Sequence, residues 1–258
     1  MTRSSRTLPA KFRFVFFDLD GTLYDMVAAI DAALQVTIET ACNRLGKDQK
    51  QAPFYLQRFW QEYSSDSQAA ELLEPVEWLR LLFYRTLDLG PIGKEAALAE
   101  QLVRQGINEF RQRMKPFPPV RKLLDQLQQQ QIGCGIISNG TSKWQRPKLE
   151  VLGLDKYFPA ETLFFPDEQG VRKPDPKIFQ SALENCGVQA REAIFVGDSP
   201  VTDVPGALAV GMTVIWLNRY QLTAPAVGHL PGRLLEARSF SEVATIIGSL
   251  SKSDQEAL

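Results

Sequence analysis

The sequence predicts an α/β fold in which a doubly wound, five-stranded parallel sheet carries an all-helical insertion. From residue 118 onward, helical stretches alternate with short apolar runs rich in Val, Ile and Phe, an order typical of a parallel sheet covered by helices on both faces. Before that, no such run interrupts a long segment whose apolar residues recur at helical spacing. We therefore expect a core domain formed by residues 11–23 and 116–250, and a helical domain formed by residues 24–115.

The first strand is expected at residues 14–17, where FVFF is an unbroken apolar run of the kind found in strands buried on both faces. Four further strands are expected at 132–138, 162–165, 193–198 and 213–218. Core helices are expected at about 119–130, 143–152, 176–186, 202–210 and 239–250. Helices of the insertion are expected at about 26–45, 54–63, 69–88 and 94–114.

Composition excludes several classes of function. The 258 residues carry a net charge of −1 without a long single-sign run, so we expect neither a nucleic-acid partner nor an anionic membrane surface. No apolar stretch approaches the roughly 20 residues that span a bilayer. The first ten residues contain no apolar segment of the secretory type. The three cysteines are widely spaced, which favours reduced thiols and a cytoplasmic protein.

Two carboxylates follow the first strand, Asp18 and Asp20, and Gly21 comes directly after them. The carboxyl ends of strands are where open α/β sheets bind ligands. Two acids at that edge repel each other unless a cation or a proton lies with them. Taken alone, this peptide is better interpreted as a polar turn after a strand than as a catalytic site.

Three other segments place polar side chains at predicted strand ends or helix starts. Ser138 and Asn139 follow the second strand, where a hydroxyl and exposed amides can bind a phosphate oxygen. Lys173 precedes two prolines and can present a point charge to a phosphate or an aspartate. Asp198 and Asp203 are five residues apart and can supply oxygen ligands to a hard cation. The alternatives for the three segments are, in order, an ordinary turn, a solvated lysine, and an acidic residue in the first turn of a helix.

In order, DLDGT, SNG, KPDP and GDSPVTD resemble the four motifs of the haloacid dehalogenase (HAD) superfamily. Gln145, Lys148-Leu149 and Gly153-Leu154 continue the resemblance after the second motif. The similarity covers essentially residues 12–218, with the helical domain matching in position and type only. It implies a Rossmann-like core and an α-helical cap inserted after the first motif.

The resemblance also implies a Mg2+-dependent phosphatase acting on a small phosphate ester. Asp18 is then the nucleophile and Asp20 the general acid and base. Mg2+ is held by Asp18, Asp198 and the backbone carbonyl of Asp20, with Asp203 acting through water or as an outer ligand. The residues expected at the substrate phosphate are Leu19, Asp20, Ser138, Asn139 and Lys173, partly through their backbone amides.

Several alternatives remain open. Haloacid dehalogenases lack an acid at the position of Asp20, which disfavours dehalogenation. A phosphomutase, or a non-catalytic phosphate-binding regulatory protein, keeps the same motifs or fold. The core resembles nucleotidase-like and sugar-phosphate phosphatases, and a nucleoside 5′-monophosphate is the first candidate substrate. A monomer or a homodimer is expected. Substrate contacts in the helical domain could come from Trp60, Tyr63, Trp78, Arg80, Tyr84 and Arg85, although helix packing is the favoured role for Trp78.

Overall fold

The computed structural model describes residues 12–65, 75–90 and 93–253. The start of the predicted helix 69–88 lies outside these ranges, as do the first ten residues, on which the expectation of no secretory signal rests. The chain divides into two compact units: one comprises Met1–Asp25 and Lys115–Leu258, and the other comprises Met26–Met114. The first is an α/β core, and the second is helical throughout its described part.

The core contains a six-stranded sheet in the order β3-β2-β1-β4-β5-β6, and all neighbouring strands are parallel. This confirms the predicted α/β class with a doubly wound parallel sheet. The strands are β1 (Phe14–Phe17), β2 (Gly133–Ile137), β3 (Leu163–Phe164), β4 (Ala193–Gly197), β5 (Thr213–Leu217) and β6 (Arg233–Ala237).

The prediction of five strands was wrong by one, because β6 was missed. Its sequence, RLLEA, has no continuous apolar run, and most of its residues are partly exposed at the edge of the sheet. It is a strand because its backbone pairs in parallel with β5, with Arg233 opposite Thr213 at one end and Ala237 opposite Leu217 at the other. A half-exposed edge strand lacks the burial that makes a central strand recognisable.

The helical unit contains α1 (Met26–Arg44), α2 (Ala52–Ser65), α3 (Pro75–Leu87) and α4 (Lys94–Arg113) among its described residues. These helices pack around an apolar core in which Trp78 is buried with Phe59 and Phe83. Trp60 donates a hydrogen bond from Nε1 to Asp31, at 3.0 Å. Internal packing therefore accounts for Trp78 and orients Trp60, two of the side chains considered for substrate contact.

The core helices are α5 (Pro118–Gln129), α6 (Ser142–Leu152), α7 (Pro166–Gln169), α8 (Pro176–Asn185), α9 (Val204–Ala209) and α10 (Phe240–Ser253). Local chemistry sets their ends. Pro176 opens α8 at a position where a missing N–H is harmless, and the side chain of Asp175 accepts from Lys177 N at 2.9 Å. Gly153 follows α6 with φ of +60°, the left-handed conformation that ends many helices. The short helix α7 was not predicted.

The chain leaves the core for the helical segment at one point and returns to it at another, and these two points lie side by side in the core. Phe117 N donates to Leu23 O at 3.0 Å, and Tyr24 forms an antiparallel bridge with Pro116. Arg219 forms an ion pair with Asp25 and lies 4.6 Å from the centre of the Phe117 ring. The ends of the inserted segment are thus tied together by residues of the core. Within the described ranges, no helix has both the length and the hydropathy needed to cross a bilayer.

Candidate active site

The sheet brings the carboxyl ends of β1, β2 and β4 together. Phe17, the last residue of β1, lies opposite Ile136 of β2 and Val196 of β4. The next residue, Asp18, donates from its backbone N to Val196 O at 2.8 Å. Because the chain continues from β1 to β2 on one side and returns to β4 on the other, this edge is the switch point where doubly wound sheets bind ligands.

Lys173 lies between two aspartates at this edge. Its Nζ is 2.7 Å from Asp18 Oδ1 and 2.7 Å from Asp203 Oδ1. The other oxygen of Asp203 accepts from Ser199 N at 2.9 Å. Lys173 and Asp203 are almost completely buried, at 3% and 1% exposure. Buried charges are stable only when paired and hydrogen-bonded, so this arrangement fixes the position of the ammonium group.

Three carboxylates converge here. Each of Asp18, Asp198 and Asp203 offers an oxygen within 4.8 Å of the others. Asp18 Oδ2 is buried and has no hydrogen-bond partner. An unpartnered anionic oxygen beside two other carboxylates suits a hard cation with oxygen ligands.

The pKa values of these acids reflect the crowding. Burial is the largest cause that raises the pKa of Asp18, to about 7; Lys173 opposes the rise and Asp203 adds to it. Burial, together with Asp18 and Asp203, raises the pKa of Asp198 to about 8. Burial would lower the pKa of Lys173, but Asp18 and Asp203 outweigh it and raise that pKa. The cluster therefore favours an added positive charge or a proton.

Asn139 holds the segment that carries Lys173. Its side-chain amide donates to Lys173 O at 2.9 Å and accepts from Lys173 N at 2.8 Å. The peptide bond between Lys173 and Pro174 is cis. Asn139 was predicted as a phosphate contact through its backbone, whereas its side chain serves to anchor Lys173.

The carboxylate of Asp20 lies in a separate set of hydrogen bonds. It accepts from the Tyr24 hydroxyl, from Gln145 Nε2 at 2.7 Å, and from Lys148 Nζ at 2.7 and 2.8 Å. Gln145 Nε2 also donates to Ser138 Oγ, at 2.7 Å. Burial would raise the pKa of Asp20, but Lys148, Gln145 and Tyr24 together lower it. Burial and the negative charge of Asp20 raise the pKa of Tyr24.

The structure places the predicted residues in two linked groups. Asp18, Lys173, Asp198 and Asp203 form the buried cluster. Ser138 and Asp20 are joined through Gln145. The Leu19 side chain is fully buried, so only its backbone could meet a substrate.

Sequence reasoning assigned no role to three residues of the Asp20 group, which are Tyr24, Gln145 and Lys148. Gln145 and Lys148 were noted only as part of the resemblance. Their spacing of three on a helix that follows Ser138 was the available signal, because residues three apart share a helix face. Nothing in the sequence distinguishes Tyr24 from other aromatic residues.

The protein thus has a doubly wound α/β core with a buried carboxylate–lysine cluster at the switch point of its sheet. The chain belongs to the family of haloacid dehalogenase-like hydrolases, whose model matches residues 12–211.

Relatives support this membership. A glyceraldehyde 3-phosphate phosphatase of Pyrococcus abyssi is 33% identical over 80% of this chain and 81% of its own length. A phosphoserine phosphatase of Thermus thermophilus is 30% identical over 66% of this chain and 70% of its own. Among solved structures, a HAD phosphatase from Thermococcus onnurineus matches with a TM-score of 0.59 and 28% identity, covering 92% of this chain and 98% of its own.

Proposed function

We propose that the protein is a Mg2+-dependent phosphatase that hydrolyses a small phosphate monoester through an aspartyl-phosphate on Asp18. The observation that carries the proposal is the environment of that carboxylate. Lys173 binds Asp18 Oδ1, while Oδ2 is buried without a hydrogen-bond partner at the carboxyl end of the central strand. A carboxylate held in one orientation beside a fixed ammonium group suits attack on an anionic phosphate.

In the first half-reaction, an oxygen of Asp18 bonds to phosphorus while the bond from phosphorus to the leaving oxygen breaks. Asp20 gives its proton to that leaving oxygen, and the product is an alcohol. Lys173, Ser138 and backbone amides at Leu19 and Asn139 stabilise the phosphoryl oxygens, because fixed donors are most effective where charge develops.

In the second half-reaction, water attacks the phosphorus of the aspartyl-phosphate and Asp20 accepts a proton from that water. The bond between phosphorus and the Asp18 oxygen breaks, inorganic phosphate leaves, and the Asp18 carboxylate is restored. Asp20 thus returns to its protonated form for the next cycle.

Asp18, Asp198 and the backbone carbonyl of Asp20 are the proposed Mg2+ ligands. Both oxygens of Asp203 are engaged, by Lys173 and Ser199, which suits an outer position. When bound, Mg2+ supplies positive charge that stabilises the phosphoryl oxygens and orients the substrate.

A short-chain sugar phosphate is the proposed substrate class. Its support is the likeness over most of the chain to the Pyrococcus abyssi protein, which is named a glyceraldehyde 3-phosphate phosphatase. The likeness to a protein named a phosphoserine phosphatase makes other small phosphorylated metabolites useful comparisons. We assign the helical unit the role of a cap that selects the leaving group, as the resemblance implies.

The test is phosphate release from a panel containing glyceraldehyde 3-phosphate, other sugar phosphates, phosphoserine, phosphoglycolate, nucleoside 5′-monophosphates and p-nitrophenyl phosphate. We expect turnover with Mg2+ and its loss with EDTA. The substitution Asp18→Asn should lower turnover by at least about 10³-fold, because it removes the nucleophile. Circular dichroism should show an unchanged fold.

Asp155→Asn is the matched control, since Asp155 is an exposed residue of the same unit. Its turnover should equal that of the unmodified protein. Phosphatase activity persisting in pure Asp18→Asn protein would contradict the assignment of the nucleophile. Absence of phosphate release from every compound, in a folded protein with Mg2+, would contradict the phosphatase proposal and favour a mutase or a regulatory protein.

A further inference from the structure

The carboxylate of Asp20 has no lone-pair position left unused. Oδ1 accepts from the Tyr24 hydroxyl and from Lys148, and Oδ2 accepts from Gln145 and from Lys148. A carboxylate offers about four acceptor positions in all. If Asp20 acts as proposed, it must hold a proton on one oxygen and turn that oxygen towards the leaving group, and a protonated carboxyl accepts fewer hydrogen bonds, so one of the four contacts has to be given up during the reaction.

The three donors differ in whether they can give up a hydrogen bond to one oxygen and still hold Asp20. Tyr24 and Gln145 each contact a single oxygen of Asp20. Lys148 contacts both, at 2.7 and 2.8 Å. An ammonium group has three donors on a flexible stem, so Lys148 can leave one oxygen and keep the other. It is the donor suited to holding Asp20 while freeing either oxygen.

The side chain of Gln145 shows that folding stability does not explain the hydrogen bonds around Asp20. Its side chain is completely buried, and Oε1 has no hydrogen-bond partner. A buried acceptor left unpaired costs about 1–3 kcal/mol. Turning the amide over would place Oε1 against the carboxylate of Asp20, which has no proton to donate, so the hydrogen bond from Gln145 to Asp20 would be lost. The amide is thus held in the orientation that serves Asp20.

The missing side chain of Gly140 leaves the space that the Gln145 amide of α6 occupies. A Cβ atom built on Gly140 would lie 2.1 Å from Gln145 Nε2, so a larger residue at that position would displace the amide. Lys148 follows Gln145 by three residues and lies on the same face of the helix. It is largely shielded, with 16% of its side chain exposed. One helix therefore delivers both groups to Asp20.

We propose that Lys148 is a positioning residue for the acid–base Asp20: it fixes the orientation of the carboxylate and yields one of its two contacts as Asp20 meets the leaving oxygen. This inference rests on the proposed phosphatase function. It predicts that the loss of Lys148 harms reactions that need a proton on the leaving oxygen more than reactions that do not.

The experiment compares kcat/KM for two substrates in the full-length protein with Mg2+. One substrate is the best alkyl phosphate of the panel, whose leaving oxygen needs a proton. The other is p-nitrophenyl phosphate, whose leaving group departs as a stable anion. In Lys148→Met, the ratio of kcat/KM for alkyl over p-nitrophenyl phosphate should fall by about 10- to 100-fold, within the range that general acid catalysis contributes.

Lys148→Arg should recover most of the ratio, because a guanidinium group can also bind both oxygens. Lys143→Met is the control on the same helix, since Lys143 is exposed, and it should leave the ratio unchanged. If Lys148→Met does not fold, Lys148→Gln makes the same comparison. Equal losses for both substrates would overturn the positioning role alone. Absence of phosphate release from the unmodified protein would overturn the proposed function itself.

Discussion

At the scale of single residues, the candidate site has more buried negative charge than positive charge. One ammonium group, that of Lys173, is shared by Asp18 and Asp203, and Asp198 lies beside them. Uncompensated buried charge is destabilising, and a carboxyl group responds by holding its proton. The raised pKa values of Asp18 and Asp198 express this imbalance. A divalent cation would correct it.

Gly21 is a residue on which this cluster depends. Its φ is +87°, and a Cβ atom built there would lie 2.3 Å from Asp198 Oδ2. Gly21→Ala should therefore displace the Asp198 carboxylate in addition to straining the backbone. We expect a loss of stability of about 2 kcal/mol, measured by urea unfolding. The increase in melting temperature caused by Mg2+ should also largely disappear.

Gly170→Ala is the control that separates backbone strain from the displacement of the Asp198 carboxylate. Gly170 has a φ of +70°, but a Cβ atom there would have nothing within 4 Å. Its substitution should cost about 1–2 kcal/mol of stability from the backbone alone. The response of the melting temperature to Mg2+ should be retained. An unchanged response in Gly21→Ala as well would show that Asp198 does not take part in binding Mg2+.

At the scale of elements, the site depends on loops that hold one another. The loop after β2 and the loop before α8 are joined by the two hydrogen bonds between Asn139 and the backbone of Lys173. Neither loop contains a regular element that could place Lys173 by itself. The sheet fixes Asp18, and this pairing of loops brings the lysine to it.

Asn139→Ala tests the pairing while retaining the backbone amide of residue 139. We expect a loss of about 1–2 kcal/mol in the free energy of unfolding, from two lost hydrogen bonds. Turnover should fall by about 10- to 100-fold, because a small displacement of a positioned group is costly. Urea unfolding and steady-state kinetics measure the two effects.

Asn185→Ala provides the control for the same change of side chain, since Asn185 is exposed at the end of α8. Neither its stability nor its turnover should change by a measurable amount. A normal turnover in Asn139→Ala would mean that Lys173 is placed without the help of this amide.

The elements differ in how far the sequence predicts them. Strands β1, β2, β4 and β5 are apolar runs, because each lies in the interior of the sheet, and all four were predicted. The edge strand β6 has no such run and was missed. Asp18, Ser138 and Asp198 could be selected in advance, since each follows a recognisable strand. Lys173 lies before a helix and was selected through the resemblance of its segment to a known motif. The hydrogen bonds of Gln145 and Lys148 with Asp20 span more than a hundred residues of chain. The spacing of the two residues indicates that they share a helix face, but it does not indicate their partner.

At the scale of the whole molecule, the buried acids make stability depend on pH. The folded-state pKa values of Asp18 and Asp198, about 7 and about 8, lie above the ordinary aspartate pKa of about 3.9. Between these limits the folded state binds more protons than the unfolded state. The free energy of unfolding must then decrease as pH rises through this range. Asp20, whose pKa is lowered, acts in the opposite sense only in acid, where its stabilising contribution is lost as pH falls.

In EDTA, we therefore expect the free energy of unfolding to fall between about pH 5 and pH 8 and to level off above that range. The slope should be at most about 1.4 kcal/mol per pH unit for each of the two carboxyl groups. At pH 8, Mg2+ should restore much of the loss, because it replaces the protons. Urea titrations at several pH values, with and without Mg2+, measure this.

Asp198→Asn should reduce the slope, because it removes one of the shifted carboxyl groups, and it should weaken the restoration by Mg2+. Stability that rises with pH in EDTA would contradict the charge imbalance inferred for the cluster.

The paired crossings at the base of the insertion have a consequence for how such chains can diversify. Phe117 bonds to Leu23, and Tyr24 is bridged to Pro116, so the core itself brings the two ends of the inserted segment together. The entropy of closing that long excursion is thereby offset by contacts that belong to the core. Helical segments of different length and sequence could be exchanged between the same two anchor points.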